Sequence, residues 1–152
     1  MARQRAVSKA EQAALRFISA VNAHDVATLT ALMTSDHIFI DAVGREVAGA
    51  SVVIERWTRD FQRTTDYRIT VEHCLGYGDI VAIFGTESGR CVGAGDGTPA
   101  KSAWSAPIAL KAIVRKGLIA TWQVYVDRGP LHDAASGGME KDTEREAVRK
   151  DA

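Results

Sequence analysis

No stretch of this sequence is apolar over anything near the ~20 residues that a membrane-crossing helix needs. The opening residues, MARQRAVSKAEQ, are basic and lack the apolar core of a secretory leader, so a cytoplasmic protein is expected. Cysteine is scarce. Cys74 and Cys91 are the two present, without C-x-x-C spacing, and free thiols are expected rather than a disulfide. Charge of one sign is also missing: Lys plus Arg and Asp plus Glu stand at 19 each. Nothing then draws the chain over distance toward nucleic acid or an anionic membrane, and neither partner is expected.

None of His24, His37, His73 and His132 has another His, Cys or carboxylate at short spacing on the same face, as a metal site requires. No metal and no cofactor are expected. The glycines of CVGAGDGTPAKS do not spell G-x-G-x-x-G, no helix follows them, and Ala100 stands where a phosphate loop would need Gly before Lys101. The segment from Gly89 to Pro99 reads as a hairpin loop that could close over a pocket mouth.

What is present is ordinary globular material: 152 residues, 46% hydrophobic and 25% charged, enough for one domain with one core. Ser8-Lys9-Ala10-Glu11 is a capping box, and Ala14, Phe17, Ile18 and Val21 behind it recur at helical spacing. Asp25 caps a second, shorter helix with Val26, Leu29, Leu32 and Met33 inward. A short strand over Ile38 to Asp41 turns through Val43-Gly44-Arg45 into a return strand, Glu46 to Ala48. A third helix buries Val53, Ile54, Trp57 and Phe61.

After Asp66 the period becomes two. Strands are predicted over Tyr67 to Leu75, Ile80 to Ser88, Trp104 to Val114 and Leu118 to Asp127. Helices followed by an antiparallel meander signal an α+β domain. Trp104 to Val114 is apolar on both parities, whereas a sheet covered by helices on one side should keep one polar face. A homodimer through the outer sheet face is therefore expected. The domain is placed at 8–133. Residues 134–152 are charged, nearly free of apolar side chains from Ser136, and expected to form a disordered tail.

Two stretches carry a family resemblance. VNAHDVATLTALMTSDHIFIDAVGREVAG resembles the opening of ketosteroid-isomerase-like proteins. WSAPIALKAIVRKGLIATWQVYVD, with its W-x-x-Y-x-D ending, resembles the closing hairpin of SnoaL-like proteins. Both groups belong to the nuclear-transport-factor-2-like superfamily, and the resemblance spans roughly Glu11 to Asp133. It implies a cone: three N-terminal helices packed on a strongly curved, mostly antiparallel sheet, an apolar pocket open at one end, and commonly a dimer.

The resemblance also implies site residues. Asp41, in IDAVG, falls on the position of the ketosteroid isomerase base. A carboxylate beside an apolar pocket loses hydration, so its pKa rises and it becomes a usable general base or acid. The competing reading is a turn residue held by the N–H groups of Val43 and Gly44 or by Arg45. The positions of that enzyme's two oxyanion donors are taken by Phe17 and Ala109, neither of which can donate a hydrogen bond. Losing one such donor typically costs ~10²–10³ in rate, so efficient steroid isomerisation is disfavoured unless Trp122, His37 or Tyr125 substitutes.

The epoxide-hydrolase pattern fares no better. Its arginine position reads Gly85 and its two acid positions read Glu87 and Val124. A SnoaL-type cyclase needs a pocket acid, for which Asp41 and Glu87 both qualify. Trp122, Phe39, Trp57 and Phe84 could line a pocket for a flat apolar ligand or could be plain core. Strand parity puts His37 and Phe39 on the face of Asp41.

Two functions follow. One is an isomerase or cyclase using Asp41 on an apolar small molecule held by Phe17, His37, Phe39, Trp57, Glu87, Ala109, Trp122 and Val124. The other is a non-catalytic ligand-binding or assembly module of the same fold. A pure protein-interaction module would instead have its pocket filled by side chains.

Overall fold

The computed structural model describes residues 5–92 and 99–135. The loop 93–98 and the charged segment from Ser136 lie outside the described residues. Ser8 accepts from the Glu11 N–H while the Glu11 carboxylate accepts from the Ser8 N–H, so the capping box forms as expected and opens α1, Lys9–Asn22. Asp25 caps α2, Val26–Leu32, through the N–H of Thr28. β1 follows at once as Met33–Ile40, longer than the predicted strand, with Met33 already extended. β2 is Glu46–Ala48 and α3 is Ala50–Arg63.

The meander is β3 (Thr64–Tyr77), β4 (Ile80–Val92), β5 (Pro99–Arg115) and β6 (Leu118–Val126), each strand reaching its predicted span or beyond it except at the last residue of β6. Part of the expected loop from Gly89 to Pro99 is thus strand. A further helix, α4, Gly129–Ala135, has no counterpart in the sequence reading. It takes in Ala134 and Ala135, the first residues of the expected tail.

The sheet runs β2-β1-β6-β5-β4-β3, antiparallel throughout except for the β1–β6 pair. It curves around the helices as a cone-shaped α+β fold. α1 lies across the concave face against β3 to β6, α3 lies against β1, and α4 crosses β4 and β5. Alternation fixes the faces. Trp104, Ala106, Ile108, Leu110, Ala112 and Val114 point in and are buried, as are Trp122 and Val124 of β6. The β5–β6 turn is two residues long, with φ 51° at Lys116 and 77° at Gly117, the primed geometry that matches strand twist.

Two contacts hold α1 to the sheet. Glu11, buried, also accepts from the N–H of Gly76 at 2.6 Å and pairs with Arg5. A Cβ on residue 76 would sit 2.7 Å from that carboxylate and would have to displace it. At the other end, the Asn22 amide donates to the carbonyl of Ile69 (2.9 Å) and accepts from its N–H (2.7 Å). β3 is an edge strand, so half of its backbone groups lack a strand partner. Asn22 substitutes for one.

Cys74 and Cys91 are unpaired. Among the described residues no helix is long and apolar enough to cross a membrane.

Replacing Asn22 by Ala strands a buried donor and a buried acceptor on Ile69. Chemical denaturation should show a loss of about 2–4 kcal/mol. A loss within 0.5 kcal/mol, taken as roughly the scatter of neutral surface changes, would show that Asn22 does not hold β3.

Candidate functional site

The cone encloses a cavity of about 430 Å³. One wall is α3. Trp57, Asp60 and Phe61 stand at i, i+3 and i+4 and share one helix face, with Arg56 and Arg63 at its edges. Phe39 of β1 packs edge-on to Trp57, 6.1 Å between ring centroids, and carries the guanidinium of Arg56 over its face at 4.4 Å. The sheet supplies Tyr67, Ile69, Cys91, Trp104, Leu110, Trp122 and Val124, and α4 supplies Leu131, His132 and Ala135. His24, at φ 52° in the α1–α2 turn, stacks on Phe61 at 4.3 Å and reaches the Tyr67 carbonyl through Nε2. The wall is therefore aromatic and fixed from behind.

Two acidic groups belong to this cavity. Asp60 lines it directly. Partial burial raises its carboxyl above the usual range although 49% of the side chain stays exposed, and the charges of Arg56, Arg128, Arg63 and Arg59 partly oppose that. Arg56 Nε lies 3.7 Å from Oδ2, too long for a hydrogen bond. Glu87 lies behind the wall with 0% exposure. Both of its oxygens are occupied: Tyr67 donates its hydroxyl to Oε2 at 2.7 Å and Arg128 donates from Nη1 to Oε1 at 2.7 Å. Burial, then the Glu87 charge, pushes the Tyr67 hydroxyl well above its ordinary pKa, so it stays protonated and donating. Tyr67 and Arg128 line the cavity, so Glu87 acts on its contents only through them.

Of the residues expected at the site, the structure brings Phe39, Trp57, Trp122 and Val124 to the cavity. Phe17 lies one layer deeper, its ring 4.6 Å from that of Trp122. His37 is fully buried beside Phe17 and away from the wall. Nδ1 lies 2.7 Å from the Ile119 carbonyl, which can only accept, so Nδ1 carries the proton. Nε2 is then a bare, unpaired acceptor, and burial lowers the pKa of the ring despite that carbonyl and Asp36.

Ala109 is on the outer face, opposite in parity to Leu110, so it cannot reach the cavity. Phe84 and Tyr125 share that outer face, 45% and 50% exposed. Gly85 carries no arginine because a Cβ there would lie 1.9 Å from the Thr70 carbonyl oxygen, where β3 bulges against β4.

Asp41 is the main correction. It sits in the β1–β2 turn and does not line the cavity. Its Oδ1 accepts from the N–H groups of Val43 (3.0 Å) and Arg45 (2.9 Å), and Arg45 Nε lies 3.3 Å from Oδ2. Partial burial alone would raise this carboxyl. The two N–H groups and the charges of Arg45 and Arg56 together outweigh it and hold the group below its usual range. These contacts match the turn reading of Asp41. Asp60 escaped the sequence reading although a signal existed: WTRDF places an acid three residues after Trp57, on the helix's apolar stripe.

The indole N–H groups of Trp57, Trp104 and Trp122 are buried without a hydrogen-bond partner. Among the described residues no three His, Cys, Asp or Glu side chains come together as a metal-ligand set.

The model of the SnoaL-like domain family matches residues 14–122, and the chain belongs to that family. Among solved structures, a Shewanella putrefaciens CN-32 protein named as a candidate SnoaL-like polyketide cyclase superposes with TM-score 0.74 at 22% identity, covering 85% of this chain and 97% of its own. One of the same naming from Jannaschia sp. CCS1 gives 0.75 at 18%, covering 90% and 97%. A Catenulispora acidiphila protein of ketosteroid isomerase-like fold, in complex with trimethylamine, gives 0.72 at 18%, covering 82% and 92%. Identities this low show a shared fold. No curated protein matches the chain.

His37 makes folding pH-dependent in a defined direction. Its folded pKa lies below the unfolded value of about 6.5, so the unfolded chain binds the extra proton. Stability should be full above pH ~6.5 and fall as pH drops from there toward the folded pKa. Denaturation at pH 7 and pH 5 should show that slope in the wild type and a flatter one in His37→Gln. Equal slopes would contradict the assignment.

Proposed function

We propose that this protein binds a flat, largely apolar small molecule in its cavity and moves a proton on it, with Asp60 as the general base and then the general acid. The observation that carries this reading is the place of Asp60: a carboxyl raised by its surroundings on the wall of an aromatic cavity. A base of that kind can take a proton from a carbon next to a carbonyl and return it elsewhere. Isomerisation and ring closure both begin with that step.

The developing enolate needs a partner, and Phe17 and Ala109 offer none. The guanidinium of Arg56 stands beside Asp60 on the same wall and has the charge for that role. The Catenulispora neighbour's trimethylamine is a precedent for this fold holding a small organic molecule. Trimethylamine itself, a cation near neutrality, suits a wall with three arginines poorly. A non-catalytic ligand carrier would use the same cavity without needing Asp60.

A second copy of the chain is proposed on the outer sheet face. His73, Phe84, Ala109 and Tyr125 are aligned partners across β3, β4, β5 and β6, and Ile80, Leu75 and Tyr77 extend the exposed apolar surface.

Two experiments test these readings. Deuterium exchange at the acidic C–H groups of 2-tetralone, followed by NMR, should run faster with the protein than in buffer. Asp60→Asn should remove about 10²–10⁴ of that acceleration, while Asp41→Asn should leave most of it. Acceleration unchanged in Asp60→Asn would remove Asp60 from the chemistry, and ligand binding without any exchange would favour the carrier. For assembly, light scattering should give twice the chain mass for the wild type and a monomer for Phe84→Asp. A monomeric wild type would exclude the dimer.

A further inference from the structure

The cavity is not electrically balanced. Among the described residues Arg56, Arg63 and Arg128 line it against the single wall carboxyl of Asp60, and Glu87 behind the wall is already committed to Tyr67 and Arg128. The three arginines are not equivalent. Arg63 is exposed at the end of α3, and Arg56 is stacked on Phe39 beside Asp60. Arg128 is the one oriented from behind. Glu87 takes a hydrogen on Nη1, and Glu87 is itself fixed by Tyr67 and sealed from water. Among the described residues the guanidinium donates one hydrogen bond, to Glu87, so most of its five N–H donors remain for other acceptors.

We infer that the cavity selects an aromatic or polycyclic acid, and that Arg128 receives its carboxylate. The inference rests on the small-molecule reading above and adds the ligand's charge and its anchor. The aromatic wall of Trp57, Phe61, Tyr67 and Trp122 takes the apolar body. The fork of Arg128 matches the geometry of a carboxylate, and its orientation is set before the ligand arrives, so little ordering is needed on binding. Arg128 is therefore a specificity-determining residue. It lies beyond residues 14–122, the stretch matched by the family model, in the link between β6 and α4.

Calorimetric titration of the full chain with 2-naphthoate, its neutral isostere 2-naphthamide, and 1-naphthylmethylamine as a cation tests this. At low salt, 2-naphthoate should bind at least tenfold more tightly than 2-naphthamide, the amine should bind weakest, and added salt should weaken naphthoate alone. Arg128→Gln should bring naphthoate down to the affinity of naphthamide and leave naphthamide within about twofold. Arg63→Gln, which leaves the Glu87 pair intact, should keep the preference.

Since Arg128→Gln strands Glu87 and could fail to fold, Arg128→Lys, which keeps a charge for Glu87 but loses the planar fork, is the second variant. It should shrink the naphthoate preference, and an unchanged preference overturns the inference. Naphthamide binding as tightly as naphthoate, or a preference abolished by Arg63→Gln, overturns the inference and leaves the small-molecule reading standing. Binding of none of the three probes overturns both.

Discussion

A carboxylate with no access to water must be met on both oxygens, or the fold that buries it is strongly destabilised. Glu87 sets that condition here. It sits in the middle of β4, and its two partners come from distant parts of the chain: Tyr67 from β3 and Arg128 from the link after β6. Satisfying it ties the sheet edge to the segment that leads into α4, and α4 forms part of the cavity wall. The same requirement puts a phenol and a guanidinium into a wall that is otherwise aromatic. The polar character of the cavity is thus a consequence of how one buried charge is neutralised.

The two aspartates show how local context, rather than residue type, assigns a role. Asp41 and Asp60 each lie near Arg56. Asp41 belongs to a tight turn whose N–H groups converge on its oxygen, and that stabilises the ionised form. Asp60 belongs to a helix, where backbone N–H groups are already used by the helix itself, so its half-exposed carboxyl stands at the cavity wall without such support.

Much of the fold was legible because its determinants are local. The capping box at Ser8, the Asp25 cap, the period change after Asp66 and the Lys116-Gly117 turn each dictate their element within a few residues. The ends of the strands were not. β1 begins at Met33 because β6 is there to pair with, not because the sequence changes period at that point. α4 is short enough for its only local sign, Pro130 in its first turn, to be read as loop. At the site, Phe39, Trp57, Trp122 and Val124 were found by parity and periodicity. Asp60 was hidden in plain helical spacing. Arg128 could not be found, since its contact with Glu87 spans 41 residues and depends on the assembled sheet. Ala109 was misplaced because a resemblance in sequence does not fix strand parity.

The central claim is that Asp60, and not Asp41, is the poised acid of this cavity. Residue-resolved carboxyl NMR titration, with Asp41→Asn and Asp60→Asn to assign the two signals, addresses it without knowledge of the substrate. Asp60 should titrate above the ordinary aspartate value of about 3.9 and Asp41 below it. The reverse order, with Asp41 the higher of the two, would contradict it and return the chemistry to the β1–β2 turn.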